Sequence, residues 1–336
     1  MRAWQVEGSF GRDHLRLVER DEPEPGAGEL LLRLRAASLN YRDVMMVEGR
    51  YNPRQPLPLV PCSDGVGEVL AVGAGVRGFA AGDRVCPIFA PRWLAGEPDR
   101  ERMRATLGGP LDGTLRQRMT IAAESVVRPP PHLGDAEAAA LPCAAVTAWS
   151  ALVVQGRLRA GETVLVLGTG GVALFALQIA LLHGARVIVT SSSDEKLERA
   201  RALGAWGTVN YAREPGWGKK VRELAGEGVD HVVEVGGAGT LAESLKAVRP
   251  GGTIHLIGVL AAGEAPLSIV PIFMQQIRVQ GVLVGSKESF ESLNRALATH
   301  TVKPVVDRTF AFDEAPAAFD HLASGRHFGK VCVAIA

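Results

Sequence analysis

The sequence has no excess of charge of either sign. Its 336 residues include 37 Lys and Arg against 36 Asp and Glu, which gives a formal net charge of +1. The densest basic stretch, residues 100–104, alternates with acidic residues and is typical of a solvated loop or helix face. Proteins that bind nucleic acid or an anionic membrane usually concentrate basic residues on one surface. We therefore expect neither a nucleic-acid partner nor a membrane partner.

Cysteines and long apolar runs are also few. No C-x-x-C pair occurs among the four cysteines, which are Cys62, Cys86, Cys143 and Cys332. This spacing argues against a disulfide framework and a structural zinc motif, and it favours a reducing, cytoplasmic location. The longest apolar run, Val172 to Leu182, contains Gln178 and is too short to cross a bilayer, and the first ten residues have no apolar signal core. We expect neither membrane insertion nor secretion.

The length of the chain and its apolar pattern predict two domains. Before about residue 125, short apolar runs are separated by Gly and Pro, which indicates a compact all-β unit. The prolines Pro129 to Pro131 mark a crossing between domains, because such a run cannot enter a helix interior or a central strand. From about residue 160, apolar strands alternate with amphipathic helices, which predicts a doubly wound parallel sheet and an α/β fold class. We expect the last residues to complete the first domain.

A glycine-rich turn follows the first strand of the predicted parallel sheet. In the segment GETVLVLGTGGVALFALQIA, a G-x-G-x-x-A pattern is formed by Gly168, Gly170 and Ala173. Gly168 permits a tight turn, Gly170 lets the backbone approach a pyrophosphate, and Ala173 lets the next helix pack closely on the strand. The N–H groups at the start of that helix then face the phosphates. The pattern predicts a dinucleotide site that includes the whole turn: Gly168, Thr169, Gly170, Gly171 and Val172.

The second strand of the predicted sheet ends without a carboxylate. An NAD enzyme usually has Asp or Glu there, against the ribose hydroxyls, but this sequence has Ser191, Ser192 and Ser193. A 2′-phosphate can be accepted by the hydroxyls of Ser191 and Ser192 and by Lys196 one turn later, which favours NADP(H). The alternative is that Ser192 and Glu195 only form a capping box at the start of the next helix.

Several segments spread over nearly the whole chain form a specific set. They are SLNYRDVMMVEGRY, PLVPCSDGVGEVLAVGAGVRGFAAGDRV, LPCAAVTAWSAL, GTGGVALFALQIA, TVNY and HFGKVCVAI. Together they resemble the medium-chain dehydrogenase/reductases, and within them the zinc-independent quinone oxidoreductase-like branch. The resemblance implies a GroES-like, β-rich catalytic domain made of residues 1–125 and 288–336, a Rossmann domain made of residues 126–287, and an active site in the cleft between them. It also implies a homodimer joined near the segment VQGVLVG.

The resemblance allows the positions of a catalytic zinc to be checked. Zinc alcohol dehydrogenases of the same superfamily hold this metal with two cysteines and a histidine. Asn40 stands where the first cysteine would be and Ser63 where the histidine would be, so only Cys143 keeps a ligand type. A catalytic zinc needs three protein ligands and an open position. We therefore expect no metal site, with Cys143 a small buried apolar residue.

In the zinc-independent branch, the residues expected near the nicotinamide are Asn40, Asp43 and Tyr51. Asn40 resembles a cofactor-contacting asparagine, and Asp43 resembles an orienting residue. Tyr51 matches a tyrosine proposed as the proton donor in related enoyl reductases. The alternative for Tyr51 is a wall residue that only shapes the pocket.

Further residues are expected along the cofactor. By resemblance, Thr147 lies behind the nicotinamide ring, Tyr211 helps to hold the adenosine phosphate, and Lys330 lies near the cofactor phosphates. Tyr211 can instead be a half-buried residue at a strand end, and Lys330 an ordinary surface lysine. Open α/β sheets present their ligands at the carboxyl ends of the strands, and the residues expected there are Gly236, Gly258, Val259 and Val284.

These residues predict an NADPH-dependent oxidoreductase that transfers hydride to a quinone, an enone or an aldehyde. Without zinc as a Lewis acid, the site must stabilise the developing oxyanion by hydrogen bonds, which suits conjugated carbonyl compounds. One alternative is an NAD(P)-dependent alcohol dehydrogenase that acts on a specific alcohol. Another is a dinucleotide-binding protein that has lost catalysis and has a structural role.

Overall fold

The computed structural model describes residues 1–260 and 267–335. Contacts divide the chain into two compact units. The terminal unit comprises Met1–Val146 and Gly285–Ala336, and the central unit comprises Thr147–Val284. The first boundary therefore lies after Val146 rather than after residue 125, and the second lies before Gly285 rather than before residue 288.

Strands occur in both units. The terminal unit contains β1 (Arg2–Val6), β2 (Leu15–Glu19), β3 (Glu29–Leu39), β4 (Asp64–Val72), β5 (Arg84–Pro87), β6 (Arg118–Ala122) and β7 (Val126–Val127). The central unit contains β8 (Thr163–Leu167), β9 (Arg186–Ser191), β10 (Gly207–Asn210), β11 (Val229–Glu234), β12 (Val248–Leu256) and β13 (Arg278–Gly281). The terminal unit then resumes with β14 (Val306–Ala311) and β15 (Lys330–Ala334).

The four helices of the first 149 residues have four to seven residues, and the seven that follow have five to fourteen. The first four are α1 (Tyr41–Val47), α2 (Arg100–Arg104), α3 (Asp135–Ala139) and α4 (Val146–Trp149), the last flanked by π-helical turns at Leu141–Ala145 and Ser150–Gln155. The others are α5 (Gly171–Leu182), α6 (Asp194–Ala202), α7 (Trp217–Ala225), α8 (Leu241–Ala247), α9 (Val270–Met274), α10 (Lys287–His300) and α11 (Ala315–Ala323). Among the described residues, no helix has both the length and the apolar character that crossing a membrane requires.

The sheet of the terminal unit is built around β3. Its strand order is β14, β15, β3, β4, β5, β7, and β6 also pairs with β3. Alternate residues of β3, Leu30, Leu32 and Leu34, are fully buried in the core, as expected for a strand with one face against the interior. Residues 126–146 belong to this unit because β7 pairs with β5 and α3 packs on β3 and β4.

The central unit is a six-stranded parallel sheet with the order β10, β9, β8, β11, β12, β13. Every residue of β8 is buried, which explains its continuously apolar sequence. The chain adds β9 and β10 on one side of β8 and β11 to β13 on the other. The order therefore reverses between β8 and β11, and ligands of doubly wound sheets bind at the carboxyl ends of the strands beside such a reversal.

The structure differs from the sequence prediction in the first part of the chain. The region before residue 125 is not all β, because α1 forms directly after β3. In the central unit, the helix α8 ends at Ala247, because Val248 already pairs with Val229 of β11.

Candidate active site

Asn40 lies at the junction of β3 and α1. It follows Leu39, the last residue of β3, and is the N-cap of α1. Its backbone N–H donates to Oδ2 of Asp43 at 2.8 Å, which is the carboxylate half of a capping box. The N-x-x-D spacing is a sequence signal of such a helix start. Because Asp43 satisfies this N–H, the side chain of Asn40 can make other contacts.

The amide oxygen of Asn40 is bound by Lys330. Lys330 begins β15, which runs antiparallel to β3 with Val331 opposite Leu39. Its Nζ donates to Oδ1 of Asn40 at 2.6 Å and to the carbonyl oxygen of Leu39 at 2.8 Å. Lys330 is only 3% exposed. The alternative of an ordinary surface lysine is therefore wrong.

The carboxylate of Asp64 lies near the same ammonium group. Asp64 begins β4, where it pairs with Ser38 of β3, and it is fully buried. Its Oδ2 is 3.9 Å from Nζ of Lys330 and accepts the backbone N–H of Cys143 at 3.1 Å. Its Oδ1 accepts the hydroxyl of Ser63 at 2.8 Å. Burial raises the pKa of Asp64, and the charge of Lys330 opposes that shift.

A second buried ion pair lies within α1. Nη1 of Arg42 is 3.5 Å from Oδ1 of Asp43. Burial raises the pKa of Asp43 to about 6, although the charge of Arg42 partly opposes this. The guanidinium also donates to the carbonyl oxygens of Leu107 at 2.9 Å and Gly109 at 3.1 Å. We refer to Asn40, Arg42, Asp43, Ser63, Asp64 and Lys330 as the buried polar cluster.

Tyr51 lies beside Arg42 at the edge of this cluster. The guanidinium carbon is 5.1 Å from the centre of the Tyr51 ring and 4.9 Å from that of Phe89, distances at which a cation is attracted to a ring face. Tyr51 is 44% exposed, so a small molecule in solution can reach it. Arg42 thus joins Tyr51 to Asp43. Arg42 could not be identified from the sequence, because no local pattern distinguishes it from a solvated arginine.

The donor chemistry of the buried polar cluster does not fit a catalytic zinc. At the compared positions, the oxygen of Asn40 is bound by an ammonium group and the hydroxyl of Ser63 donates to Asp64. Burial and the Asp64 carboxylate raise the pKa of the Cys143 thiol, whereas a zinc ligand must be a thiolate. In the part of the chain that the structure describes, no group of three or more His, Cys, Asp or Glu residues is arranged to hold a metal ion.

In the central unit, the glycine-rich turn lies at the carboxyl end of β8. Gly168 has a φ of +77°, which L side chains rarely adopt, and its N–H donates to Thr190 of β9. α5 begins at Gly171, and its N-cap, Gly170, has no side chain to cap the first turn. The N–H groups of that turn carry the positive end of the helix dipole. Thr169 is buried, and Val172 is partly exposed. The turn fits a bound pyrophosphate.

The capping of α6 differs from the alternative considered for Ser192. The hydroxyl of Ser193 accepts the backbone N–H of Lys196 at 3.3 Å, so Ser193 is the N-cap. Ser191 ends β9 and is buried, whereas Ser192 is exposed. The capping box of Ser192 and Glu195 is therefore wrong, and the hydroxyl of Ser192 lies outside the cap.

Two charged residues at this corner were missed by the sequence analysis. Asp194, the first residue of α6, accepts from Nδ2 of Asn210 at 2.6 Å and forms an ion pair with Arg213. Tyr211 is 44% exposed, and its backbone N–H donates to Ser191 at 3.1 Å. The corner thus carries serine hydroxyls, and the carboxylate of Asp194 there is paired with the Arg213 cation.

A buried glutamate organises the carboxyl end of β11. Glu234 accepts the backbone N–H groups of Gly236 at 2.8 Å and Gly237 at 3.1 Å and the hydroxyl of Thr240 at 2.6 Å. A Cβ at Gly236 would lie 2.2 Å from Oγ1 of Thr240, so only glycine fits there. The sequence analysis identified Gly236 but missed Glu234, which holds the turn.

The remaining predicted cofactor residues lie near the ends of later elements. A Cβ at Gly258 would lie 2.3 Å from the carbonyl oxygen of Val235, and Val259 is exposed. Val284 has a φ of +48°, a strained conformation for a β-branched residue, and such strain is often found at ligand sites. Thr147 is buried in α4, between the two π-helical turns.

Two family sequence models match the chain. The one described as Alcohol dehydrogenase GroES-like domain matches residues 26–131, and the one described as Zinc-binding dehydrogenase matches residues 171–299. A zinc-type alcohol dehydrogenase-like protein of Schizosaccharomyces pombe is 41% identical, over 97% of this chain and 96% of that protein. An acryloyl-coenzyme A reductase of Metallosphaera sedula is 32% identical, over 98% of this chain and 99% of that protein.

Solved structures show the same architecture. An NAD-dependent alcohol dehydrogenase superposes with a TM-score of 0.92 and 36% identity, with 100% of both chains covered. A 2-octenoyl-CoA carboxylase reductase, solved in complex with NADP and 2-octenoyl-CoA, superposes with a TM-score of 0.86 and 27% identity, covering 96% of this chain and 82% of that one.

The fold and these comparisons define an alcohol dehydrogenase-like oxidoreductase with a Rossmann dinucleotide-binding domain and a GroES-like domain. The chain belongs to the medium-chain dehydrogenase/reductase superfamily. The predicted fold class, superfamily and enzyme class are confirmed. The roles of the individual site residues stay predictions.

Proposed function

We propose that this protein transfers hydride from NADPH to a quinone, an enone or an aldehyde, without zinc. The bonding of Asn40 supports this most directly, because an ammonium group binds its side-chain oxygen. A site without a Lewis acid stabilises a developing oxyanion by hydrogen bonds. Enones and quinones delocalise the negative charge that hydride transfer creates, so they suit such a site best.

The chain's own residues bind and orient the reactants. A bound nicotinamide supplies the hydride. The turn from Gly168 to Val172 would hold the pyrophosphate, and the nicotinamide half would lie against residues at helix and strand ends, namely Thr147, Gly236, Gly258, Val259 and Val284. The hydroxyl of Tyr51 would donate to the substrate oxygen, with Asn40 and Asp43 behind it.

The preference for NADPH rests on the corner between β9 and α6. A 2′-phosphate would be bound here by hydrogen bonds from the hydroxyls of Ser191 and Ser192 and from the side chain of Lys196. Tyr211 would lie against the adenosine. The carboxylate of Asp194 also lies at this corner, and its ion pair with Arg213 reduces its repulsion of a phosphate. Among similar structures, one is named NAD-dependent and another contains NADP. The preference for NADPH is therefore inferred from the residues of this chain.

A second candidate is the oxidation of a specific alcohol. The names of several relatives favour it, since they are called alcohol dehydrogenases. The acryloyl-coenzyme A reductase and the enoyl-CoA complex among the similar proteins favour reduction of an activated double bond instead. The donor chemistry at Asn40 and Ser63 agrees better with reduction, because oxidation of an unactivated alcohol benefits from a metal that stabilises the alkoxide.

A turnover screen tests the proposal. The purified protein is assayed with NADPH and NADH against quinones, enones, enoyl thioesters and aldehydes, and with NADP⁺ and NAD⁺ against alcohols, before and after chelation. We expect reduction with NADPH, no loss on chelation, and less than stoichiometric zinc by elemental analysis. One tightly bound zinc per chain with activity lost on its removal contradicts the zinc-free site. Binding of NADPH with no turnover of any compound favours the non-catalytic alternative.

The partner proposed for the central unit is a second copy of this chain. All four residues of β13, at the edge of the sheet, are exposed. Exposed apolar side chains continue from this strand to α9, including Phe273 at 62% and Met274 at 69% exposure. Open sheet edges and large apolar patches are sites of chain association. The apolar character of the patch suits an identical apolar patch on another copy.

A further inference from the structure

The ammonium group of Lys330 is enclosed by polar atoms of its own unit. It contacts Oδ1 of Asn40, the carbonyl oxygen of Leu39 and, at 3.9 Å, Oδ2 of Asp64. Lysine is almost never fully buried unless its charge is paired. A buried lysine with such partners therefore has a role inside the site rather than at the surface.

We propose that Lys330 is a positioning residue: its ammonium group fixes the orientation of Asn40 and balances the charge of Asp64. The resemblance implies that this lysine lies near the cofactor phosphates. Here its partners are instead Asn40 and Asp64. Its kinetic part rests on the proposed reductase function. Its charge-balance part does not.

The orientation of Asn40 follows from the hydrogen-bonding groups of an amide. An asparagine side chain has one oxygen, which accepts, and one NH₂ group, which donates. Because Lys330 binds the oxygen, the NH₂ group faces Ser63, with Nδ2 3.4 Å from Oγ. The hydroxyl of Ser63 in turn donates a hydrogen bond to Oδ1 of Asp64. Asn40 is thus held as a donor, which suits a substrate oxyanion and does not suit a metal ion.

The charges of the buried polar cluster support the same assignment. It contains two carboxylates, Asp43 and Asp64, and two cations, Arg42 and Lys330. Arg42 forms an ion pair with Asp43 and donates hydrogen bonds to the carbonyl oxygens of Leu107 and Gly109. Lys330 is therefore the cation that balances Asp64, and removing one partner of a buried pair is strongly destabilising. A divalent cation at Asn40 would be repelled by this ammonium group.

The test is a double-mutant comparison in the full chain. Lys330→Met removes the charge at similar length, Asp64→Asn removes the partner charge, and the double variant removes both. We expect Lys330→Met to lower the Tm by about 5 °C or more, and Asp64→Asn to restore part of that loss in the double variant. We expect kcat to fall by about a hundredfold in both Lys330 variants, because Asn40 is no longer held. Lys220→Met, at an exposed lysine, controls for the loss of a lysine.

Cofactor binding separates this role from the alternatives. A positioning role leaves the Kd for NADPH within about twofold, whereas a phosphate contact weakens it by about tenfold or more. Weakened NADPH binding with unchanged kcat overturns the proposal, and so does recovery of kcat in the double variant, which would make the role purely structural. If Lys330→Met does not fold, the double variant still gives the kinetic result. If the wild-type chain reduces no carbonyl compound, the proposed function is wrong. The charge pairing is tested independently of that result: equal Tm values for Lys330→Met and the double variant would refute it.

Discussion

The ionisable side chains of the terminal unit differ in burial, and this difference determines which of them can give a proton to a substrate. It raises the pKa of the thiols of Cys62, Cys86 and Cys143, which disfavours the reactive thiolate. Tyr51, in contrast, carries its hydroxyl on a side chain that solvent reaches, and its ring packs on the buried cation Arg42. A proton donor to a substrate is therefore best sought at Tyr51, whereas Cys62 packs in the apolar core of the terminal unit.

Tyr51→Phe tests this donor role, because it keeps the ring and removes only the hydroxyl. We expect kcat to fall by about a hundredfold to a thousandfold, the effect of removing one donor to a developing oxyanion. Loss of a wall residue would instead raise KM and leave kcat close to wild type. The matched control is Tyr41→Phe, the same change ten positions earlier in the chain, for which we expect wild-type kinetics. A Tyr51→Phe enzyme with wild-type kcat would leave Tyr51 as a wall residue.

Asp43→Asn tests the burial of its carboxylate through the pH dependence of stability. The pKa of Asp43 is raised from 3.8 to about 6, so the folded state binds its proton more tightly than the unfolded state does. Asp43 therefore lowers the free energy of unfolding as pH rises through this window, by up to about 3 kcal/mol. Arg42, Lys330 and Asp64 face this carboxylate and remain in both proteins. We expect Asp43→Asn to gain stability relative to wild type between pH 4 and 7, measured by urea unfolding. Parallel pH profiles would show that Asp43 is not buried as described.

Single elements could be predicted where their pattern is local. The alternation of strands and helices from β8 to β11 follows consecutive apolar and amphipathic segments of the sequence. The helix α1 was not predicted, because its seven residues are too few for a clear period, although the N-x-x-D spacing of Asn40 and Asp43 marks its start. The cap of α6 shows a related difficulty, since three consecutive serines leave the capping residue ambiguous.

The corner formed by β9 and α6 provides a test at the scale of elements. If Lys196 contacts the 2′-phosphate, Lys196→Ala should weaken NADPH binding by about tenfold or more, because a charge-assisted hydrogen bond contributes roughly 1.5 to 3 kcal/mol. NADH binding should be unchanged, because NADH lacks that phosphate. Isothermal titration with both cofactors measures this, and Lys220→Ala provides a matched lysine control in the same unit. Equal weakening of both cofactors would assign Lys196 to the fold of α6 instead.

Across the whole molecule, the candidate site depends on pairings that no local pattern reveals. Lys330 meets Asn40 across 290 residues because β15 pairs with β3, and Asp64 joins them because β4 pairs with the same strand. The sequence identified Asn40 and Lys330 separately, through the resemblance, but not their contact. The ends of the chain therefore complete one buried polar cluster, while the middle of the chain forms the dinucleotide-binding domain from consecutive elements.

At the scale of the whole molecule, we expect two chains to associate through the exposed edge of the central unit. The edge strand β13 and the apolar side chains of α9 would be covered by a second copy, so we expect a particle of twice the 35.6 kDa chain mass by light scattering after size-exclusion chromatography. Phe273→Asp combined with Val279→Asp places two charges in this patch and should give monomers, because burying unpaired carboxylates in an interface is unfavourable. Leu224→Asp, at an exposed apolar residue of α7, should leave the dimer intact. A wild-type monomer, or a doubly substituted protein that still forms dimers, would place the contact elsewhere or exclude it.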